Sequence, residues 1–182
     1  MKKNILLGVT ASVAIYKSCS LVRILQRQGY GVKVIMSPNA TKLISPKLFE
    51  SLTNQRVYVE MLEETQDYSI EHIGLAKWAN LVIIAPASAN TIAKLAAGIC
   101  DNLLTTAVLA LPQSTPVVVA CAMNTHMWNN PVTKKNIDYL KTLKNYKLVL
   151  PAKGRLASGD RGEGVLSPLE DIVQAVKSCL KK

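Results

Sequence analysis

Small hydroxyl and amide residues recur in this 182-residue chain where apolar runs stop. The sharpest case is Ser88-Ala89-Asn90-Thr91, which follows the run Leu81-Val82-Ile83-Ile84-Ala85-Pro86-Ala87. Such groups, set between a strand and a helix start, suit an anion, because the first amides of a helix lack intrahelical partners. Thr10, Ala11, Ser12 and Val13 repeat the arrangement after Asn4 to Val9, and Ser37-Pro38-Asn39 repeats it after Val32 to Met36. Any one of these turns reads equally as an N-capped connection without a ligand. Three of them keep a mononucleotide open as the ligand. A dinucleotide fingerprint is absent, since no GxGxxG follows the first strand.

Other residues could carry chemistry. His72 stands in Ile70-Glu71-His72-Ile73, just ahead of the Leu81 unit. A lone histidine beside an apolar stretch is as a rule a packed or surface residue, and only its position singles it out. Asn124 falls just past the apolar run Val117 to Ala120, the ligand-facing address in a parallel sheet. Its neighbours Met123, Met127 and Trp128 also read as a hydrophobic plug. The stretch Ala152 to Gly164 mixes glycines with charges, is too glycine-rich for a helix, and is long for a connector. It is either a functional flap or a floppy loop.

Alternating strands and helices must position these groups. Leu81 to Ala85 is β-branched and apolar throughout, as in a strand buried on both faces, and Pro86 should end it. Asn4 to Val9, Val32 to Met36 and Val117 to Ala120 read the same way, Val57 to Met61 as a short strand and Lys147 to Leu150 as the last clear one. Leu21, Ile24 and Leu25 share one helix face, with Gly29 to Gly31 closing that helix. Asn39 to Asn54 reads as helical with a break near Pro46, and Glu63 to Ser69 as a loop. Further helices are expected over Thr91 to Ala97, after a cap at Asp101 or Asn102, from Pro131, and from Ser167-Pro168-Leu169-Glu170. The expected fold is a single α/β domain over 1–182: doubly wound, Rossmann-like (flavodoxin-like), with five or six parallel strands and helices on both faces.

Composition narrows the partners. A net charge of +10 suits anionic small ligands, but there is no Lys/Arg block or arginine–aromatic stripe of a nucleic-acid arm. No apolar run approaches the ~20 residues that span a bilayer. Cys19, Cys100, Cys121 and Cys179 lack metal-ligand spacing, so no metal is expected. Met1 to Lys3 leads straight into a strand pattern, so the expectation is a cytoplasmic protein with reduced thiols.

Six segments in this order resemble the homo-oligomeric flavin-containing cysteine decarboxylases over nearly the whole chain. They are Thr10 to Lys17, His72, Pro86 to Thr91, Asp101 to Thr106, Ala122 to Trp128, and Arg155 to Gly164. Members of the family act on 4′-phosphopantothenoylcysteine in coenzyme A synthesis or on a peptide's C-terminal cysteine in lantibiotic synthesis. The resemblance implies bound FMN, held by Thr10, Ala11, Ser12, Val13, Ser37, Asn39, Ser88, Ala89, Asn90 and Thr91, with Ala122 beside it. It implies His72 as base or charge partner, and Asn124 as ligand of the substrate carboxylate next to Met123. It implies a flap that closes over substrate through Arg155, Leu156 and Ala157, and a trimer or dodecamer with flavin between subunits. The substrate's CH₂–S⁻ unit would be oxidised to a thioaldehyde, CO₂ would leave, and an enethiolate would remain; the coenzyme A branch then reduces it with a hydride and a proton. A non-catalytic flavin-binding or regulatory subunit is the reading from another class, and His72 with Asn124 argues against it.

Three positions depart from the family. Ala11 replaces a usual glycine, acceptable at negative φ. Cys121 replaces a proline, which loosens the turn before Ala-Met-Asn. Ser158 replaces the flap cysteine that serves as acid in the reduction step, and a hydroxyl is a far weaker acid than a thiol of pKa ~8.5. Either that serine is engineered to trap an intermediate or the protein naturally stops at the enethiol.

Overall fold

A computed structural model describes residues 2–61 and 71–181. The loop expected over Glu63 to Ser69 lies outside the described residues. Six parallel strands form one sheet: β1 (Asn4–Val9), β2 (Gly31–Met36), β3 (Val57–Tyr58), β4 (Leu81–Ala87), β5 (Val117–Cys121) and β6 (Tyr146–Val149). Their order is β3-β2-β1-β4-β5-β6, all pairs parallel. This is the expected doubly wound architecture. The order reverses between β1 and β4, and the crevice at the carboxyl ends of those strands is where such folds bind ligands.

The apolar runs are continuous because both sheet faces are covered. Ile5, Leu7, Val9, Leu81, Ile83, Val118 and Ala120 face one side, with Leu21 and Leu25 of α1 (Tyr16–Arg27), Phe49 of α2 (Pro46–Thr53), and Ile172 and Val176 of α8 (Leu169–Leu180). Leu6, Val82, Ile84, Val117 and Val119 face the other. They meet Leu75 of α3 (Glu71–Trp78), Ile92 of α4 (Ala89–Ala97), Leu104 and Val108 of α5 (Leu103–Leu109), and Ile137 and Leu140 of α7 (Pro131–Thr142).

Four expectations need correction. Pro86 does not end β4. The β4–β5 register slips between Ile84 and Ala87, the missing proline N–H falls in that irregularity, and pairing resumes at Ala87 with Cys121. Helix does not start at Asn39: residues 38–44 form turns, and Pro46 opens α2 instead of breaking it, because Ser45 caps it and proline tolerates the first turn. Lys147 to Leu150 is not the last strand. Ala152–Arg155 (β7) and Arg161–Val165 (β8) pair as an antiparallel hairpin, so the glycine-rich stretch carries two strands and is not an irregular loop. Glycine serves that hairpin by close approach: a side chain at Gly162 would meet Thr125, and one at Gly164, φ 143°, would meet the Met123 carbonyl.

Candidate flavin and substrate cavity

A cavity of about 560 Å³ opens at the carboxyl ends of β1, β4 and β5, within the size range of small-ligand sites. One wall comes from the turn after β1. Ser12 caps a single 3₁₀ turn, Val13–Ile15, by accepting from the Ala14 amide at 3.4 Å, and α1 then brings Tyr16 and Lys17 to the cavity. A second wall is the start of α4. Ser88 caps it by accepting from the Thr91 amide at 3.4 Å, and the first-turn amides of Ala89 and Asn90 have no intrahelical partner. The floor is Ala122, Met123 and Asn124 past β5, and the hairpin supplies Arg155, Leu156, Ala157 and Ser158.

Asn124 is oriented by its own backbone. Its Oδ1 accepts from the His126 amide at 2.8 Å and caps α6 (Thr125–Asn129). Its Nδ2 has no partner among the described residues, so the side chain keeps two N–H donors for a guest, as a carboxylate requires. The hairpin tip is a closed turn, Leu156 N–H donating to the Asp160 carbonyl at 2.8 Å and Gly159 N–H to the Leu156 carbonyl at 3.0 Å. Ser158 donates its hydroxyl to the Asp160 carboxylate at 2.9 Å, so that proton is spent inside the hairpin. None of the four cysteines lines the cavity. Lys17 and Arg155 do, and among the described residues neither forms an ion pair and no carboxylate lines the cavity beside them. Two unneutralised cations in a recess with apolar walls favour an anionic guest.

Twelve of the expected site residues therefore meet: Ala11, Ser12, Val13, Ser88, Ala89, Ala122, Met123, Asn124, Arg155, Leu156, Ala157 and Ser158. The others lie elsewhere. Thr10 is fully buried; its hydroxyl donates to the Pro86 carbonyl at 2.7 Å and accepts from the Ser88 amide at 3.0 Å, holding two strand ends together. Thr91 is buried against the Ser88 hydroxyl, 3.1 Å away, and Asn90 is exposed on α4. Ser37 and Asn39 follow β2 outside the lining, and His72 sits in the first turn of α3, which packs on α5. Asn54 is the sole non-glycine residue at positive φ among the described residues, so Ala11 keeps a negative φ. Cys121 is buried within β5, where burial pushes its thiol up to about 12. Sequence reasoning gave Tyr16 and Lys17 no role of their own and read Met127 only as part of a hydrophobic plug; Lys17 follows Val13 by four residues, a spacing that puts both on one helical side. Among the described residues no cluster of His, Cys, Asp or Glu could hold a metal, and no helix is long and apolar enough to cross a membrane.

Comparison with known proteins adds identity to this geometry. The model of a family described as Flavoprotein matches residues 1–181. A protein of Streptococcus mutans named probable phosphopantothenoylcysteine decarboxylase is 43% identical over 180 residues, covering 99% of this chain and 100% of that protein. The coenzyme A biosynthesis bifunctional protein CoaBC of Bacillus subtilis is 43% identical over 172 residues. That match covers 94% of this chain but 42% of the bifunctional protein, so the chain spans less than half of its length. Among solved structures, a cysteine-to-serine mutant of PPC decarboxylase complexed with pantothenoylaminoethenethiol has a TM-score of 0.87 and 33% identity, over 100% of both chains.

Proposed function

The chain belongs to the Flavoprotein family, and from that premise we propose that it is an FMN-dependent decarboxylase of 4′-phosphopantothenoylcysteine, acting towards 4′-phosphopantetheine in coenzyme A biosynthesis. One observation carries the reading. A single recess gathers the capped turns at Ser12 and Ser88, the free Nδ2 donors of Asn124 and the hairpin cation Arg155, with no carboxylate among the described residues that line it. The residues fit the group. Ala11, Ala89 and Ala122 leave room for a flat ring, and the helix starts at Ser12 and Ser88, with Lys17, suit its phosphate. Bound FMN supplies the two-electron acceptor that a cysteine CH₂–S⁻ unit needs before its carboxylate can leave as CO₂.

The protein's task is placement. Asn124 Nδ2 donates to the departing carboxylate and holds it at the recess floor. Arg155 balances the charge of an anionic substrate from above, and Leu156 and Ala157 exclude water. His72 is the proton-handling group of the proposed reaction. It lies outside the cavity of its own chain, so in the homo-oligomer, a trimer or dodecamer, it serves a neighbouring copy's site. Val13, Tyr16 and Met127, each about half exposed or more at the rim, offer the apolar surface for that contact.

Ser158 sets the product. Its proton is directed at Asp160, and no thiol lines the recess, so reduction of the enethiol would be slow and the enethiol would accumulate, up to one equivalent per FMN unless dioxygen takes up the two electrons. The test is incubation of the yellow, FMN-loaded protein with 4′-phosphopantothenoylcysteine, followed by mass. CO₂ loss with a product two hydrogens lighter than 4′-phosphopantetheine is expected, and Ser158→Cys should convert that product to 4′-phosphopantetheine. Protein that neither binds FMN nor releases CO₂ would remove the enzyme reading. Prompt, complete turnover to 4′-phosphopantetheine by the unaltered chain would remove the impaired reduction. Ser158 also favours a second reading, decarboxylation of a peptide C-terminal cysteine to an enethiol. Competition between such a peptide and 4′-phosphopantothenoylcysteine separates the two, and unpaired Arg155 favours the phosphorylated substrate.

A further inference from the structure

We propose that Glu163 is a positioning residue. It latches the β7–β8 hairpin to α6 and so sets where Arg155 and the Leu156–Ser158 tip stand over the cavity. The hairpin is anchored to the neighbouring elements through β8. The Met123 amide donates to the Gly164 carbonyl at 3.0 Å, the Thr125 hydroxyl donates to the Glu163 carbonyl at 2.7 Å, and Trp128 Nε1 donates to Glu163 Oε2 at 3.3 Å. Among the described residues, neither Lys153 nor Arg155 of β7 makes a side-chain hydrogen bond. The strand that carries the cation is thus held by its partner strand, and the partner is held by α6.

The indole is a rigid post for this contact. Trp128 is only 4% exposed, and Lys134 of α7 places its Nζ 3.8 Å from the ring centroid. Its N–H therefore points in one direction, and Glu163 comes to meet it. Glu163 itself is exposed, and neither it nor Trp128 lines the cavity. Of the three bonds, two are made by the hairpin's main chain and persist through substitution. The third depends on the Glu163 side chain, and it can open without disturbing the sheet. A hydrogen bond to a charged acceptor is strong enough to bias the hairpin and weak enough, when exposed, to release it. Because Asn124 starts the same α6 segment, the latch fixes the distance between the two groups assigned to the substrate.

The consequence for turnover rests on the reading of the site as a decarboxylase, but the latch has a readout of its own. In the FMN-loaded protein without substrate, Glu163→Ala and Trp128→Phe should each raise hydrogen exchange of the hairpin amides about five- to tenfold. The KM for 4′-phosphopantothenoylcysteine should rise about as much, with kcat changed less than about twofold and FMN retained. Glu163→Gln should fall between the unaltered protein and Glu163→Ala, since its amide oxygen still accepts the indole N–H but without the charge. The Glu163→Ala/Trp128→Phe double variant should be no worse than either single one, because both remove the same bond. Unchanged hairpin exchange in Glu163→Ala would overturn the latch, and so would a Glu163→Gln variant as impaired as Glu163→Ala. If the unaltered protein releases no CO₂, the decarboxylase reading fails, and the exchange series still decides the latch.

Discussion

Replacing Gly164 with alanine tests whether the hairpin is bolted to the segment that carries Asn124. Gly164 lies in β8 at φ 143°, where L side chains rarely go, and a Cβ there runs into the carbonyl oxygen of Met123. Relief requires the two peptides to part, which breaks the 3.0 Å bond from the Met123 amide to the Gly164 carbonyl. The backbone conformation costs about 1–3 kcal/mol and the lost bond about 0.5–1.5 kcal/mol, roughly 2–4 kcal/mol together. Gly159, φ 94°, provides the control: nothing lies within 4 Å of its added Cβ. Gly159→Ala therefore meets the conformational part alone, about 1–2 kcal/mol. At this chain length 1 kcal/mol moves Tm by about 2–4 °C, so Gly164→Ala should melt roughly 4–16 °C lower and Gly159→Ala roughly 2–8 °C lower. Thermal unfolding by circular dichroism under matched conditions measures both, and CO₂ release from the same samples reports the site. Gly164→Ala should lose most of its turnover, since Met123 and Asn124 leave the cavity floor, while Gly159→Ala keeps it. Equal melting of the two variants, with turnover intact in Gly164→Ala, would refute the bolted hairpin.

Two further outcomes are expected. His72→Asn should abolish CO₂ release while the protein keeps its yellow colour, and undiminished release would remove His72 from the mechanism. Burial pushes the Cys121 thiol up to about 12, against an ordinary value near 9. The folded state then holds a proton that the unfolded chain has released, so stability is full below about pH 9 and falls as pH rises towards 12. Urea midpoints taken from pH 8 to pH 11 should fall more steeply for the unaltered protein than for Cys121→Ala, and parallel slopes would contradict the burial argument.

The sheet was legible because its runs are pure. Leu81 to Ala85 and Val117 to Ala120 are apolar at every position, which only a strand covered on both faces can use, and both are buried throughout. Glycine and proline misled where tertiary contact overrode propensity. The glycines of this stretch speak against a helix and give no sign of a strand, yet Gly162 and Gly164 allow β8 to lie against Thr125 and Met123, and no local pattern announces such an approach. Pro46 and Pro86 read in sequence as breaks. One became the start of a capped helix and the other an irregular position inside a strand whose pairing resumes one residue later.

The site shows where residue type stops being informative. Hydroxyl residues near strand ends divide between two tasks. Ser12, Ser88 and Ser158 reach the cavity. Thr10, Ser18 and Ser167 instead donate inward, to the carbonyls of Pro86, Ala85 and Leu150 at 2.7, 2.8 and 2.6 Å. Both groups are small and polar, and all but Ser18, which sits in the first turn of α1, are close to a strand terminus, so sequence alone predicts them alike. What separates them is demand from the backbone. Where the β4 ladder slips around Pro86, the carbonyls at Ala85 and Pro86 leave the regular pairing, and a buried acceptor left unpaired costs about 1–3 kcal/mol. Thr10 and Ser18, packed against that irregularity, are recruited to meet it. A proline inside an otherwise apolar run is therefore a signal about its neighbours in space. It marks acceptors that need donors, and the hydroxyls nearest to them are the first to be withdrawn from any list of ligand-binding residues. By that rule Thr10 supports the recess from beneath, and the anion-binding task passes to Ser12 and Ser88 on either side of it.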